Sequence, residues 1–269
     1  MRRFALPLVI LASVIVAAAL AWFTLNRSSG SAEMTTEVRA VNPFHRLEIS
    51  GRADVTLVEG ASESVTVETA ARGQSRVLAH VQNGMLMIDA ADSRRRWWSA
   101  LIGRRATANP RIIIAFKSLD AIALSGTVKL TADGISATDL RVMASGGSEL
   151  RLDDINAQTL RIMGSGALKA TLAGTVVEQK ISISGAGEVR ADRLVSQDAV
   201  VDVSGAGSIV VNVAKTLRAT ISGAGSVEYY GDPEVRQSVS GVGRVKRRQS
   251  AAADGPAVAR GAASLHSDV

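Results

Sequence analysis

From residue 125 onward one phrase, Ser-Gly, returns seven times, at Ser125, Ser145, Ser165, Ser184, Ser204, Ser222 and Ser240. Successive serines are 20, 20, 19, 20, 18 and 18 residues apart, too even for chance and too short for a repeat built of paired helices. A period of this size predicts a solenoid, in which no single repeat can bury its own apolar face and neighbours do so by stacking. Ser184-Gly185-Ala186-Gly187, Ser204-Gly205-Ala206-Gly207 and Ser222-Gly223-Ala224-Gly225 are identical copies, and Ser240-Gly241-Val242-Gly243 differs at one residue.

The residues around each serine alternate. One position before it stand Leu124, Ala144, Gly164, Ile183, Val203, Ile221 and Val239, and three before it Ile122, Val142, Ile162, Ile181, Val201, Ala219 and Gln237. Apolar residues at every second position predict a strand with one face inward. The pattern returns five residues after the serine with Leu130, Leu150, Val189, Ile209, Val227 and Val245, so each repeat holds at least two short strands separated by a bend. Glycine suits such a corner because it takes positive φ and close backbone approach without a Cβ clash. The repeat-corner residues are therefore Ser184, Gly185, Gly187, Ser204, Gly205, Gly207, Ser222, Gly223 and Gly225. A phosphate-cradling reading of Ser-Gly-Ala-Gly fails, since no helix and no Lys-Ser/Thr pair follows it.

Two columns arise from stacking equivalent positions at the inter-strand spacing of ~4.8 Å. Four residues before the serines lie Arg141, Arg161, Lys180, Arg218 and Arg236, with Ala121 and Val200 as exceptions and Arg46 at an isolated early copy, Ser50-Gly51. Alternating with apolar positions, these cations are expected to face outward. Such a row either binds a repeating anion, such as an acidic polysaccharide or lipopolysaccharide, or is a solvated face that keeps the chain soluble. Eight residues after the serines lie Asp133, Asp153, Asp192 and Asn212, which read as bend residues bonding their own backbone rather than as calcium ligands. No metal and no cofactor is expected.

The rest of the chain frames the repeats. Arg2 and Arg3 precede an apolar stretch from Phe4 to Leu25, giving residues 1–25 as a signal peptide, cleaved after Ala21 in Ala19-Leu20-Ala21, or as an uncleaved helical signal anchor crossing the inner membrane. Either places the remainder of the chain outside the cytoplasm, in the periplasm or at the cell surface. With no cysteine in the chain, a lipoprotein anchor, disulfides and thiolate chemistry are excluded. Residues 26–36 read as a linker, 37–91 as an N-terminal β region, 92–110 as a basic, Trp-bearing insertion, 111–248 as the repeats, and 249–269 as a disordered tail. Within the β region, Asn83-Gly84 predicts a tight hairpin. In the insertion, Arg94, Arg95, Arg96, Trp97 and Trp98 have the composition of a membrane-interface contact, or of a loop whose tryptophans pack back on the repeats. Only 3 percent of residues are aromatic, so the core must be aliphatic. A net charge of +6 and a pI near 10.1 favour anionic partners, but no nucleic-acid motif accompanies them.

The stretch Asn42-Pro43-Phe44-His45-Arg46-Leu47-Glu48-Ile49-Ser50-Gly51-Arg52-Ala53-Asp54-Val55-Thr56-Leu57-Val58-Glu59-Gly60, followed by the serial Ser-Gly-Ala-Gly copies, resembles the head GIN domain family. Its members carry the label of autotransporter adhesin heads and of a domain of unknown function. Over about Val38 to Arg248 the resemblance implies a right-handed, mainly parallel β-solenoid, or β-helix, in an exported bacterial envelope protein. It brings no catalytic residues.

Three functions are compatible with this pattern: an adhesin-like module binding an anionic envelope glycan, lipid or protein; a structural or signalling component assembling through its ends; and a polysaccharide lyase or hydrolase. The last rests on fold analogy alone, because the aspartates recur as bends and His45, His80 and His266 are scattered.

Overall fold

The computed structural model describes residues 34–70, 77–90 and 109–248. All regular structure among them is β: β1 (Met34–Ala40), β2 (Arg46–Glu59), β3 (Ser64–Ala70), β4 (Leu78–Gln82), β5 (Met85–Ala90), β6 (Arg111–Phe116), β7 (Ala121–Tyr230), β8 (Glu234–Gly241) and β9 (Arg244–Arg247). These strands form one open sheet whose path runs β1-β3-β6-β2-β5-β4, with β7 joining at β2 and carrying β8 and β9.

The expectation of a right-handed, mainly parallel β-solenoid is corrected by this topology, and the β-helix description falls with it. The sheet is mixed: β1·β3, β3·β6 and β4·β5 are antiparallel, while β2·β5, β2·β6, β2·β7, β7·β8 and β7·β9 are parallel. The physical reason lies before the repeats. Asn83 and Gly84 take positive φ of 52° and 70°, which reverses the chain in two residues and sets β4 against β5, as the Asn-Gly pair predicts. The chain likewise reverses between β2 and β6, leaving β3 antiparallel to its neighbours on both sides. The predicted N-terminal apolar helix and membrane anchor, residues 1–25, lie outside the described residues, as do Arg94, Arg95, Arg96, Trp97 and Trp98 and the tail from 249 to 269. Among the described residues no helix is long and apolar enough to cross a membrane.

The early Ser50-Gly51 is not isolated. β2 lies in parallel register on the start of β7, pairing Ser50 with Ser125 and Gly51 with Gly126. At the far end Ser222 pairs with Ser240 and Gly223 with Gly241. Between them β7, 110 residues long, bends repeatedly at glycines of positive φ, and each phrase lies against the one before it. At Gly205 (φ 131°) an added Cβ would stand 2.4 Å from the Gly185 carbonyl oxygen, and the same approach recurs from Gly126 to Gly241. Backbone stacked on backbone at this distance admits only glycine, which is why the phrase repeats.

The core is aliphatic throughout. Leu47, Ile49, Val55 and Leu57 of β2 pack with Ile112 and Ile114 of β6 and with Ile122, Leu130, Val142 and Ile162 of β7, all buried. Each such side chain contributes about 1.5–3 kcal/mol on burial. Phe44 and Phe116 add aromatic volume to the N-terminal end of this core.

A candidate anion-binding face

From Ser145 to Ser222 the positions two, four and six residues before each repeat serine alternate with buried side chains, so they share the outward face of one strand per repeat; six before Ser125 stands the buried Leu119, and residues 236–239 before Ser240 are all exposed. The cation column occupies its middle. Arg46 pairs with Ala121 and Arg218 with Arg236 in the parallel register, and the glycine contacts carry the same alignment through Arg141, Arg161, Lys180 and Val200. Rows therefore lie ~4.8 Å apart.

The cations are not equivalent. The Arg161 guanidinium donates to both carboxylate oxygens of Asp139, at 2.9 and 2.7 Å. Arg236 donates to Glu234 Oε1 through Nε and Nη2, at 3.1 and 2.9 Å. Arg46 donates to the Asn83 carbonyl at 2.7 Å. Arg141, Lys180 and Arg218 form no ion pair among the described residues. Counting six positions back from the serines finds what the sequence reading missed, an acidic column of Asp139, Glu178, Asp198 and Glu234 beside the basic one. Counting two back finds Met143 and Met163, 42% and 40% exposed, and farther along Asp202.

Around the Ser-Gly corner lies a groove of about 870 Å³. Its floor includes Gly147, Ala167, Ala186, Ala206 and Ala224, and its rim alternates in charge through Lys129, Glu149, Lys169 and Glu188. Lys129 and Glu149 approach to 3.5 Å, so the rim partly neutralises itself. The corner residues Gly185, Gly205 and Gly223 have φ of 126°, 131° and 130°. Gly187, Gly207 and Gly225 do not share that backbone; a Cβ on Gly187 would meet Ile183 Cγ2 at 2.7 Å. A second hollow of about 540 Å³ lies beside Val177, Val195 and Ser196.

In the acidic column after the serines, the Asp153 carboxylate is engaged by arginine side chains rather than by its own backbone. Asp153 accepts from Arg151 at 2.7 Å and from Arg193 at 3.3 Å, and the backbone carbonyl of Asp192 accepts from Asn212 at 3.2 Å. Among the described residues no cluster of three or more metal-ligating side chains is present.

This is an all-β domain whose repeated glycine corners hold flat, polar strand faces in register. A model of the family described as "Putative auto-transporter adhesin, head GIN domain" matches residues 43–233. The chain belongs to that family. Among solved structures it is similar to a putative adhesin from Bacteroides fragilis, with TM-score 0.73 and 19% identity, covering 81% of this chain and 98% of that one. A putative lipid binding protein from Parabacteroides distasonis is similar at TM-score 0.59 and 17% identity, covering 83% and 100%. A putative adhesin from Parabacteroides merdae follows at TM-score 0.52 and 18% identity, covering 82% and 98%. At these identities the likeness is one of fold. No curated protein matches in sequence. The family's description as an adhesin head supports an adhesin-like function and an extracellular or envelope location.

Proposed function

We propose that the chain is an exported, non-enzymatic module of the cell envelope that binds an anionic surface polymer through the outward column of Arg141, Arg161, Lys180, Arg218 and Arg236. Residues 1–25 direct export, either as a cleaved signal or as a retained anchor, and the residues between them and β1, which begins at Met34, link them to the β domain. The observation that carries the reading is the in-register spacing of cations on one strand face, of which Arg141, Lys180 and Arg218 have no acidic partner among the described residues. A linear polyanion lying across the strands meets a new cation at nearly every row and releases the counter-ions held there.

The test is binding of heparin and alginate at low and physiological salt, beside a variant with all five cations changed to Gln. Salt-sensitive binding lost in the variant supports the column as the site. Equal binding by both proteins, or no binding by either, removes it.

A second reading, assembly with another envelope protein, is favoured by the C-terminal edge. There, among the described residues, β8 and β9 pair with β7 alone, and Val242 is 87% exposed. A mass in solution that does not change with concentration or with added envelope proteins sinks it.

A further inference from the structure

The basic face divides into two halves of different chemistry. In its C-terminal half Val200 interrupts the cations, Asp198 and Asp202 stand on the same row, and Arg236 is held by Glu234. In its N-terminal half the neighbouring rows present Ala121 and Ala123, then Asp139, Arg141 and Met143, then Thr159, Arg161 and Met163, then Glu178, Lys180 and Ser182; Arg161 is held by Asp139 as Arg236 is by Glu234, and the methionine pair is what sets this half apart. Met143 and Met163 are stacked neighbours ~4.8 Å apart on adjacent rows, each exposed over about two fifths of its surface. They project from the same face as Arg141 and Lys180, which carry unpaired charge among the described residues.

A binding site for a purely hydrophilic polyanion has no use for two exposed thioethers at its centre. An apolar patch flanked by cations instead fits a ligand that is apolar and anionic within one ~10 Å neighbourhood, two strand rows across. Methionine is suited to such a contact, because its unbranched, polarizable side chain adapts to irregular apolar partners. Arginine and lysine at its margin lay their methylene stems along the apolar surface and keep their charge at head-group level.

We infer that the patch formed by Arg141, Met143, Arg161, Met163 and Lys180 docks on an anionic lipid surface, with the methionines at the acyl boundary, Arg141 and Lys180 on the lipid phosphates, and Arg161, held by Asp139, between them. This rests on the anion-binding reading of the face and narrows it to its N-terminal half. The strand lies flat on the membrane, so contact is peripheral and reversible, and needs both the charges and the methionines.

The absence of cysteine permits a clean test in the full chain. An environment-sensitive fluorophore is attached to Ser182→Cys, one row from Met163, or to Ser208→Cys on the groove rim as a control face. Vesicles of phosphatidylcholine with one third phosphatidylglycerol are added, and heparin is titrated separately. The expected result is a blue shift and at least a twofold rise in intensity at position 182, none at position 208, and none with pure phosphatidylcholine. In the Met143→Gln/Met163→Gln variant the vesicle response falls at least fivefold while heparin binding is unchanged. A response equal at both label positions, or one that survives the double variant, overturns the lipid contact. Heparin binding without any vesicle response also overturns it and leaves the polyanion reading standing. Loss of both in the five-cation variant alone, with the methionine variant behaving as the parent, assigns the face to charge and removes the lipid.

Discussion

The N-terminal strands β1–β6 and the repeats of β7–β9 share one aliphatic core, yet they hold their register by different means. In the N-terminal region register comes from turns and side chains. Asn83-Gly84 reverses the chain, the amides of His45 and Arg46 both donate to the Gly84 carbonyl at 3.0 and 3.2 Å, and Phe44 and Phe116 fill the interior. In the repeats register comes from backbone lying on backbone, with glycine over glycine from Gly51 to Gly241. A side-chain contact can shift by a rotamer; a glycine wedged under a carbonyl cannot. The repeat region is therefore the less tolerant of the two, although its sequence looks simpler.

Substituting one glycine in each region tests this most sharply. Gly205→Ala places a Cβ 2.4 Å from a backbone oxygen at φ of 131°, outside the left-handed helical region that some residues tolerate. The expected loss is about 4 kcal/mol or more. Gly84→Ala has φ of 70° and meets the His45 imidazole, which can swing away, so the expected loss is about 1–2 kcal/mol. Midpoints of chemical denaturation measure both. Equal losses would mean that backbone stacking is not what distinguishes the regions.

The same contrast decides how much of the molecule was legible in its sequence. The Ser-Gly period exposed the glycine stack, because backbone contact forces one residue type at one spacing. The inward positions Ile122, Val142, Ile162 and Ile181 were readable as a buried face for a similar reason. The antiparallel strands were not. β1 and β3 alternate much as parallel strands do, so Val38, Val65 and Val67 carry no sign of direction, and only Asn83-Gly84 announced a reversal. On the candidate face the cations stood out because they were counted at one offset. The acids two residues earlier and the methionines two residues later lay equally open at neighbouring offsets, and what they do to the charges depends on row-to-row distances. The pairing of Arg161 with Asp139, 22 residues away, is visible only once the rows are stacked.

Among the described residues, three buried polar side chains, Ser148, Gln179 and Ser196, break the aliphatic interior of the repeats, and Gln179 is the largest of them. Five positions before the serines stand Leu140, Leu160, Ala199 and Leu217, but also Gln179, fully buried. Its Nε2 donates to Ser196 Oγ at 2.8 Å, which in turn donates to the Asn212 carbonyl at 3.0 Å, while Gln179 Oε1 finds no partner among the described residues. A buried acceptor left unsatisfied costs about 1–3 kcal/mol. Gln179→Leu restores the residue type of the neighbouring rows and leaves Ser196 bonded to Asn212. The expected outcome is a gain of about 1 kcal/mol, seen as a higher thermal midpoint. A loss instead would show that side-chain hydrogen bonds fix register in the repeats as turns do in the N-terminal strands.

The smallest effect is expected where the two regions meet. Lys129 of β7 stands opposite Asp54 of β2 in the parallel register and approaches Glu149 of the next row to 3.5 Å, so its charge lies on the seam. Both members of the Lys129–Glu149 pair are about half exposed, at 55% and 49% of their side chains. Exposed pairs of this kind contribute about 0.2–1 kcal/mol and are screened by salt. The seam also has the backbone ladder from Arg46 to Val58 and the Gly51–Gly126 contact, neither of which involves the lysine side chain. Lys129→Gln is therefore expected to cost less than about 1 kcal/mol at low salt, and less still at physiological ionic strength. A larger, salt-sensitive loss would mean that charge across the seam, rather than stacked backbone, joins the N-terminal strands to the repeats.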